Sequence, residues 1–121
     1  MDTKSIIYVE DEFNIANMVY SVLTSQGYDV ILSSWGAEAA RLVQAHPYKY
    51  SLLITDLYLH NIKGNEVAEL IKKSCPNINV IITTGDMSVN EQKLKRSGVV
   101  NEVIFKPFSV KDFFEKVNRL L

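Results

Sequence analysis

Five short apolar segments, separated by longer segments of helical character, constrain the fold of this chain most strongly. These segments are almost continuously apolar and do not alternate between apolar and polar residues. Strands have this composition when helices cover both faces of their sheet, as in parallel sheets. The predicted strands cover residues 6–9, 28–32, 52–55, 80–83 and 103–105. We therefore expect one parallel sheet between two layers of helices.

The segments between the strands have the periodicity of amphipathic helices. In the first segment the apolar residues follow the i, i+3, i+4, i+7, i+8 spacing of a buried stripe. That stripe comprises Ile15, Met18, Val19, Val22 and Leu23. Further helices are predicted over about residues 37–45, 65–74, 89–96 and 110–121. Leu70 and Val110 are expected on buried faces of their helices, and Ser109 is expected to cap the last helix.

The strict alternation of strands and helices predicts an α/β fold with an open, doubly wound parallel sheet and helices on both faces. A closed barrel of this kind would need eight such units. Among doubly wound sheets, the flavodoxin-like strand order 2-1-3-4-5 suits this chain length, and we expect one domain over residues 1–121. Ligands bind such sheets at the carboxyl ends of the strands, where the order reverses between strands 1 and 3.

Composition excludes several classes of protein. Apolar residues make up 47% of the 121 residues, which provides a complete core and argues against intrinsic disorder. The net charge of -1 indicates no attraction to nucleic acid or to an anionic membrane. No apolar stretch is long enough to span a bilayer, and the first residues lack a signal-peptide pattern. Because Cys75 is the single cysteine, a reducing compartment fits, and we expect a cytoplasmic protein.

Four of the five predicted strands end in residues suited to phosphate chemistry. Glu10 and Asp11 follow the first strand, and Asp56 follows the third. Thr84 follows the fourth strand, and Lys106 follows the fifth. Because parallel strands end at the same edge of a sheet, three carboxylates, one hydroxyl and one ammonium are expected to converge there.

This set of groups suits phosphoryl transfer. Clustered carboxylates repel one another unless a cation binds, and a few hard oxygen ligands favour Mg²⁺. Phosphoryl transfer depends mainly on positioning and on neutralising charge at the phosphoryl oxygens. Asp56 would be the nucleophile that forms an acyl phosphate. Mg²⁺, Lys106 and the Thr84 hydroxyl would each stabilise one phosphoryl oxygen.

Each of these residues also has a structural explanation when it is taken alone. Strand-end acids often favour the start of the following helix, and Glu10, Asp11 and Glu12 would suit its first turn. A proline after Lys106 is ordinary at the end of a strand. The combination of all these residues at one edge of one sheet favours the functional explanation.

Four segments carry a resemblance to a known family. They are residues 7–12 (IYVEDE), 55–59 (TDLYL) with Gly64 eight residues after Asp56, 83–85 (TTG) and 105–108 (FKPF). Together they resemble the motifs of response-regulator receiver domains of two-component signalling, over essentially all 121 residues. The resemblance implies a phosphorylation-dependent switch that assists its own phosphorylation and dephosphorylation and does not act as an enzyme on external substrates.

The resemblance also implies a role for each site residue. Asp56 would accept the phosphoryl group from a histidine kinase or a phosphotransfer protein. Thr84 and Lys106 would contact that group. Mg²⁺ would be held by Glu10, Asp11, Asp56 and the backbone carbonyl of Tyr58.

Two further expectations follow from the resemblance. The Lys106–Pro107 peptide bond would be cis, a form that proline adopts at low cost. The positions two residues beyond the acceptor and two beyond the threonine, Tyr58 and Asp86, would set the lifetime of the phosphorylated state. We expect the bulky Tyr58 side chain to screen the acyl phosphate from water.

Phosphorylation would change the surface formed by the fourth helix, the fifth strand and the fifth helix. This face would contact an output partner or domain, or form a homodimer on phosphorylation. Six basic residues on this face are expected either to form an ordinary solvated surface or to suit a salt-bridged dimer or an acidic partner. They are Lys93, Lys95, Arg96, Lys111, Lys116 and Arg119.

The sequence departs from the family pattern at three positions. Val103 stands where an aromatic side chain usually turns inward on phosphorylation, and valine has no ring to turn. His60 occupies a position where proline is common. Glu10 is the first acid, where aspartate is commoner, and its longer side chain would suit contact with Mg²⁺ through water.

A small aspartate-nucleophile phosphohydrolase of the haloacid dehalogenase type is the main alternative. That class needs a second aspartate two residues after the nucleophile as general acid, and this chain has Tyr58 there. A nucleotide- or flavin-binding module is another alternative. The sequence contains neither of the glycine-rich phosphate-binding motifs, Gly-x-Gly-x-x-Gly and Gly-x₄-Gly-Lys-[Ser/Thr]. A receiver that signals without phosphate is the last, and the intact acids argue against it.

Overall fold

The computed structural model describes residues 5–121, in which five strands alternate with five helices. The strands are β1 (Ser5–Val9), β2 (Asp29–Ser33), β3 (Leu52–Asp56), β4 (Asn79–Thr84) and β5 (Glu102–Phe105). The helices are α1 (Phe13–Ser25), α2 (Gly36–Ala45), α3 (Gly64–Ser74), α4 (Glu91–Arg96) and α5 (Val110–Arg119). None of these helices has both the length and the apolar composition that crossing a bilayer requires.

All five strands are parallel and lie in the order β2-β1-β3-β4-β5, so the predicted α/β fold and strand order are confirmed. The order reverses at β1, which has β2 on one side and β3 on the other. Val9 pairs with Thr55 in the β1–β3 register. The residues that follow these two strands therefore leave the sheet side by side.

The core has two layers, one on each face of the sheet. On one face, Leu53 belongs to a buried cluster with Val43 of α2 and Val67 of α3. On the other face, Ile54 belongs to a buried cluster with Phe113 of α5 and with residues of α1. Burial of both faces explains why the strands are almost continuously apolar.

Three predicted helical contacts are wrong. The sequence pattern places Met18, Leu70 and Val110 on buried faces, but their exposed fractions are 51%, 41% and 50%. In α1 the buried residues are Ala16, Val19 and Leu23. Met18 lies two residues from Ala16 and so projects from nearly the opposite side of the helix. The small alanine, rather than the methionine, therefore faces the sheet.

Capping residues fix where α4 and α5 begin. α4 begins at Glu91 rather than near residue 89, because the Asn90 side chain accepts a hydrogen bond from the Lys93 backbone N–H. α5 begins as predicted, with the Ser109 hydroxyl accepting a hydrogen bond of 3.1 Å from the Asp112 backbone N–H. In both cases a side-chain acceptor satisfies a backbone donor that the first helical turn leaves without a partner.

Candidate functional site

Three carboxylates meet at the carboxyl ends of β1 and β3. Glu10 and Asp11 directly follow β1, and Asp56 is the last residue of β3. One carboxylate oxygen from each of the three lies within 4.8 Å of the other two. Glu10 is almost completely buried, while Asp11 and Asp56 are partly exposed. The structure therefore brings the predicted acids together in one cluster, open to solvent on one side.

Glu12 has a separate, structural role. Its carboxylate caps α1 by accepting hydrogen bonds from the backbone N–H groups of Asn14 and Ile15, at 3.3 Å and 2.9 Å. The Glu12 backbone N–H in turn donates a hydrogen bond of 3.2 Å to Glu10 Oε2. The helix-start explanation thus holds for Glu12, whereas Glu10 and Asp11 belong to the acid cluster.

Lys106 joins two of the clustered acids. Its Nζ lies 2.7 Å from Glu10 Oε1 and 3.2 Å from Asp56 Oδ1. The Lys106–Pro107 peptide bond is cis, as expected. One ammonium beside three carboxylates leaves the cluster with an excess of negative charge, which favours the binding of a further cation.

Burial makes the two inner acids harder to ionise. Burial, opposed by the Lys106 hydrogen bond, raises the pKa of Glu10. Burial likewise raises the pKa of Asp56, although the charge of Lys106 acts to lower it. Burial acts to lower the pKa of Lys106, but the Glu10 hydrogen bond and the Asp56 charge outweigh it, so the pKa is raised. Lys106 therefore stays protonated as the ammonium. A bound cation would stabilise the charged form of Glu10 and Asp56.

Tyr8, in β1, lies close enough to the acid cluster for the charges of Glu10 and Asp56 to act on its phenol. The side chain is buried, and burial together with the charges of Glu10 and Asp56 raises the pKa of its phenol. The prediction from sequence missed Tyr8. Alternation of side chains along a strand, which places residues 8 and 10 on one face, is the signal that would have found it.

Two threonines end β4, and they face different partners. Thr83 pairs with Asp56 across the sheet, and its Oγ1 lies 3.5 Å from Asp56 Oδ1. Thr84 is buried, and its Oγ1 accepts a hydrogen bond of 3.1 Å from the Asp86 backbone N–H. Thr83 is thus the threonine in contact with Asp56, and the prediction from sequence missed it. The β3–β4 register is the signal that identifies it.

Gly64 allows α3 to begin directly against the end of β3. A Cβ atom at this position would lie 2.2 Å from the backbone oxygen of Asp56. The Gly64 N–H donates a hydrogen bond of 2.7 Å to the Leu57 carbonyl, and an isolated bridge joins Tyr58 to Lys63. The glycine eight residues after Asp56 is therefore a steric requirement of the tight loop that carries Tyr58.

Tyr58 and Asp86 connect the loops that follow β3 and β4. The Tyr58 hydroxyl donates a hydrogen bond of 2.6 Å to Asp86 Oδ2. Asp86 Oδ1 also accepts hydrogen bonds from the backbone N–H and the hydroxyl of Ser88, at 2.9 Å and 2.6 Å. The two positions that were expected to set the phosphorylated lifetime are therefore in direct contact.

His60 lies at the rim of the acid cluster. Its Nε2 is 3.5 Å from Asp11 Oδ2, and its side chain is 69% exposed. The ring centroids of His60 and Trp35 are 6.2 Å apart. The position where proline is common in the family thus carries an imidazole beside one of the expected metal ligands.

The face formed by α4, β5 and α5 carries mixed charge. Lys95 Nζ lies 3.1 Å from Glu91 Oε1 and 3.1 Å from Glu102 Oε1. Arg119 Nη1 lies 4.0 Å from Glu102 Oε2. These ion pairs partly neutralise the basic surface that the sequence pattern predicts. Val103, at the position of the usual aromatic, is buried in the core.

Comparison with known proteins identifies related sequences. A family model described as the response regulator receiver domain matches residues 6–118. The response regulator ArlR of Staphylococcus haemolyticus is 29% identical over 117 residues, which cover 97% of this chain and 52% of ArlR. The polar-differentiation response regulator DivK of Brucella ovis is 29% identical over 121 residues, which cover 98% of this chain and 97% of DivK. The chain thus spans about half the length of ArlR and nearly all of DivK.

A solved structure shows the same arrangement of elements. The response regulator TrrA of Thermotoga maritima, solved in complex with Mg(2+)-BeF, superimposes with a TM-score of 0.83 at 30% identity. The match covers 98% of this chain and 100% of TrrA. Together with the acid cluster and its lysine, these matches show that the chain belongs to the response-regulator receiver domain family, whose members are phosphoacceptor signalling domains of two-component systems.

Proposed function

We propose that this chain is a phosphorylation-controlled switch in which Asp56 accepts a phosphoryl group from the phosphohistidine of a histidine kinase or a phosphotransfer protein. The observation that supports this most strongly is the position of the Lys106 ammonium, 2.7 Å from Glu10 and 3.2 Å from Asp56, beside the acid cluster. In this proposal residues 1–121 act as one receiver domain.

A divalent cation fits the residues of the cluster. Hard oxygen donors, few in number and partly open to solvent, suit Mg²⁺, which usually keeps several waters. Glu10, Asp11, Asp56 and the backbone carbonyl of Tyr58 would hold the ion, Glu10 through water because Lys106 occupies its Oε1. The bound ion would supply positive charge to the phosphoryl oxygens.

In the transfer step a carboxylate oxygen of Asp56 attacks the phosphorus atom. A new P–O bond forms, the P–N bond to the donor imidazole breaks, and its electron pair returns to the imidazole nitrogen. Lys106 already lies beside Asp56 and neutralises charge there without having to move far. The Thr84 hydroxyl, which the Asp86 N–H now contacts, turns to donate to the phosphoryl group.

The loop between β4 and α4 carries the signal outward. When the Thr84 hydroxyl turns, the hydrogen bond from Asp86 is lost and the loop is released. α4 has no fully buried side chain, so little packing resists its movement. The face of α4, β5 and α5 then changes and contacts an output partner or domain, or a second copy of the chain. Because Val103 has no ring to turn, the Thr84 loop is the route of coupling.

A phosphohydrolase acting on external substrates is not favoured. The residue two positions after Asp56 is Tyr58, and its hydroxyl is committed to Asp86 at 2.6 Å. No carboxylic acid therefore occupies the position from which a leaving group would be protonated. The chain is proposed to assist only its own phosphorylation and dephosphorylation.

Intact mass spectrometry tests the proposed function. The protein is incubated with acetyl phosphate or phosphoramidate and Mg²⁺, and we expect a single phosphoryl adduct. The adduct should be absent in Asp56→Asn and after chelation of the metal. Asp112→Asn, which changes an exposed acid in α5, is the matched control and should retain the adduct. A wild-type protein that forms no adduct with Mg²⁺ present would contradict the proposal.

A further inference from the structure

We propose that the ion pair between Lys95 of α4 and Glu102 of β5 is a latch that holds α4 in its resting position and so opposes phosphorylation of the chain. The resting position is the position of α4 in this structure. The inference rests on the proposed function, because a latch on α4 has a role only if phosphorylation moves that helix. It adds to that function a contact within the chain that sets how readily Asp56 is phosphorylated.

α4 has few apolar contacts that hold it in place. It is six residues long and has no buried side chain, and its Leu94 is only partly buried against a core cluster. A cavity of about 320 Å³ is lined by Glu69 of α3 and by Lys93 and Leu94 of α4, among other residues. α4 can therefore move relative to α3 without displacing a closely packed layer of side chains.

Lys95 makes the ion pair that ties α4 to the sheet. Its Nζ lies 3.1 Å from Oε1 of Glu102, the first residue of β5. Among residues 5–121, which the structure describes, no other ion pair joins α4 to another element. The Glu102 side chain is 15% exposed and the Lys95 side chain 32%, so solvent screens the pair only in part.

The Glu102 carboxylate is held in place from β5 and α5. Its Oε1 accepts a hydrogen bond of 3.1 Å from the Val103 backbone N–H, and its Oε2 lies 4.0 Å from Arg119 Nη1 of α5. When α4 moves, Lys95 is therefore the group that leaves this carboxylate. The latch thus acts at the strand position next to Val103, where the usual aromatic side chain is missing.

A second contact of Lys95 has the same length but a different consequence. Lys95 Nζ also lies 3.1 Å from Glu91 Oε1, one turn earlier in α4. That pair lies within the helix and moves with it, so it stabilises α4 equally in both positions. Movement of α4 breaks only the pair with Glu102. By linkage, removing a contact that only the resting state has strengthens every ligand that favours the moved state.

Binding of beryllofluoride, an analogue of the phosphoryl group, in the presence of Mg²⁺ tests the latch. An NMR titration of the full chain measures the affinity. We expect Lys95→Met to bind beryllofluoride about two- to fivefold more tightly than the wild type, as the loss of a partly exposed ion pair predicts. Glu102→Gln should show a similar increase. The double variant should bind no more tightly than Lys95→Met, because both substitutions remove the same contact.

Two matched controls carry the same changes of charge. Lys93→Met removes a lysine of the same helix that forms no ion pair within residues 5–121. Glu91→Gln removes the other carboxylate that contacts Lys95. Both variants should bind beryllofluoride with wild-type affinity. Amide hydrogen exchange of the unphosphorylated protein is an independent readout, because the α4 amides should exchange faster in Lys95→Met than in Lys93→Met.

The outcomes separate the latch from the proposed function. Wild-type affinity for beryllofluoride in Lys95→Met would overturn the latch and leave the proposed function standing. An equal increase in Lys93→Met would overturn it too, since the effect would then follow net charge. The same exchange rate of the α4 amides in Lys95→Met and Lys93→Met would count equally against it. A wild-type protein that binds no beryllofluoride with Mg²⁺ present would overturn the proposed function and the latch together.

Discussion

Tyr58 donates a hydrogen bond of 2.6 Å to Asp86, which ties the loop after β3 to the loop after β4. The Asp86 backbone N–H in turn donates to Thr84 Oγ1 at 3.1 Å. The hydrogen bond to Asp86 raises the pKa of Tyr58. Hydrogen bonds from Ser88, and to a smaller extent from Tyr58, lower the pKa of Asp86. A neutral phenol and a charged carboxylate therefore face each other at neutral pH, in a continuous chain of contacts from Tyr58 to Thr84.

Truncation of Tyr58 is expected to shorten the life of the phosphorylated state. Tyr58→Ala removes both the ring that we expect to screen Asp56 and the hydrogen bond to Asp86, so water should reach the acyl phosphate more easily. The phosphoryl adduct should decay severalfold faster than in the wild type, as followed by intact mass after the donor is removed. Decay at the wild-type rate would contradict the screening role.

Tyr58→Phe separates the ring from the hydrogen bond. It keeps the bulk of the side chain and removes only the hydroxyl that contacts Asp86. If the bulk of the side chain screens the acyl phosphate, the phosphoryl adduct of Tyr58→Phe should decay at close to the wild-type rate. A rate equal to that of Tyr58→Ala would assign the effect to the hydrogen bond instead.

Asp56→Asn is expected to stabilise the metal-free protein at neutral pH. The pKa of Asp56 is raised above its ordinary value of 3.8, so the folded protein binds this proton more tightly than the unfolded chain does. This tighter proton binding stabilises the folded protein fully at pH values below the ordinary pKa of Asp56. The stabilisation is lost as the pH rises through the folded-state pKa of Asp56. Asparagine does not ionise and so escapes that loss. The gain should be on the order of 1 kcal/mol at neutral pH.

Urea denaturation at several pH values measures this gain. It should shrink as the pH falls through the folded-state pKa of Asp56, because the wild-type carboxyl is then protonated as well. Added Mg²⁺ should stabilise the wild type more than Asp56→Asn, since the variant lacks one charged ligand. A gain that is the same at acidic and neutral pH would rule out an electrostatic origin.

Lys106→Met is expected to destabilise the metal-free protein. The substitution removes the ammonium that contacts Glu10 and Asp56 and leaves both acids without their partner. The loss in unfolding free energy should be about 1–3 kcal/mol, less than for a completely buried pair because the Lys106 side chain is 18% exposed. Lys111→Met, at an exposed position, should change stability by less than about 0.5 kcal/mol. Similar losses in the two variants would contradict the role of Lys106.

Gly64→Ala is expected to destabilise the fold strongly. Its Cβ would meet the Asp56 backbone oxygen at 2.2 Å, and a backbone atom cannot turn away as a side chain can. The cost should be roughly 3 kcal/mol by urea denaturation. Gly85→Ala is the matched control, because a Cβ there meets no atom within 4 Å, and it should stay within about 1 kcal/mol of wild type. Equal stability of the two variants would contradict the steric role of Gly64.

The fold could be predicted from sequence because its signals are local. Apolar runs such as residues 52–55 need both faces of a strand covered, and parallel strands with crossover helices follow from that. The orientation of the helices was harder to predict. Met18 fits the expected stripe by spacing, but the small Ala16 packs closer to the sheet and turns the methionine to solvent.

The acid cluster could be predicted because the ends of parallel strands lie at one edge of the sheet. Residues at those ends are therefore neighbours whatever conformation their side chains adopt. Glu10, Asp56 and Lys106 lie at the carboxyl ends of parallel strands and must meet at one edge. The contacts of Tyr58 with Asp86 and of His60 with Asp11 depend instead on the paths of two loops. Tyr58 and Asp86 are 28 residues apart, and no periodic pattern relates residues in separate loops. Such contacts become visible only in the three-dimensional structure.

Mapping the phosphorylated residue tests most directly whether Asp56 is the acceptor. Borohydride reduces an acyl phosphate and so converts a phosphorylated aspartate to homoserine, which tandem mass spectrometry of peptides locates. The phosphorylated wild-type protein should carry homoserine at position 56 and unmodified side chains at Glu10 and Asp11. Reduction at Glu10 or Asp11 with Asp56 intact, or a phosphoryl adduct that leaves no reduced carboxyl group, would contradict the assignment.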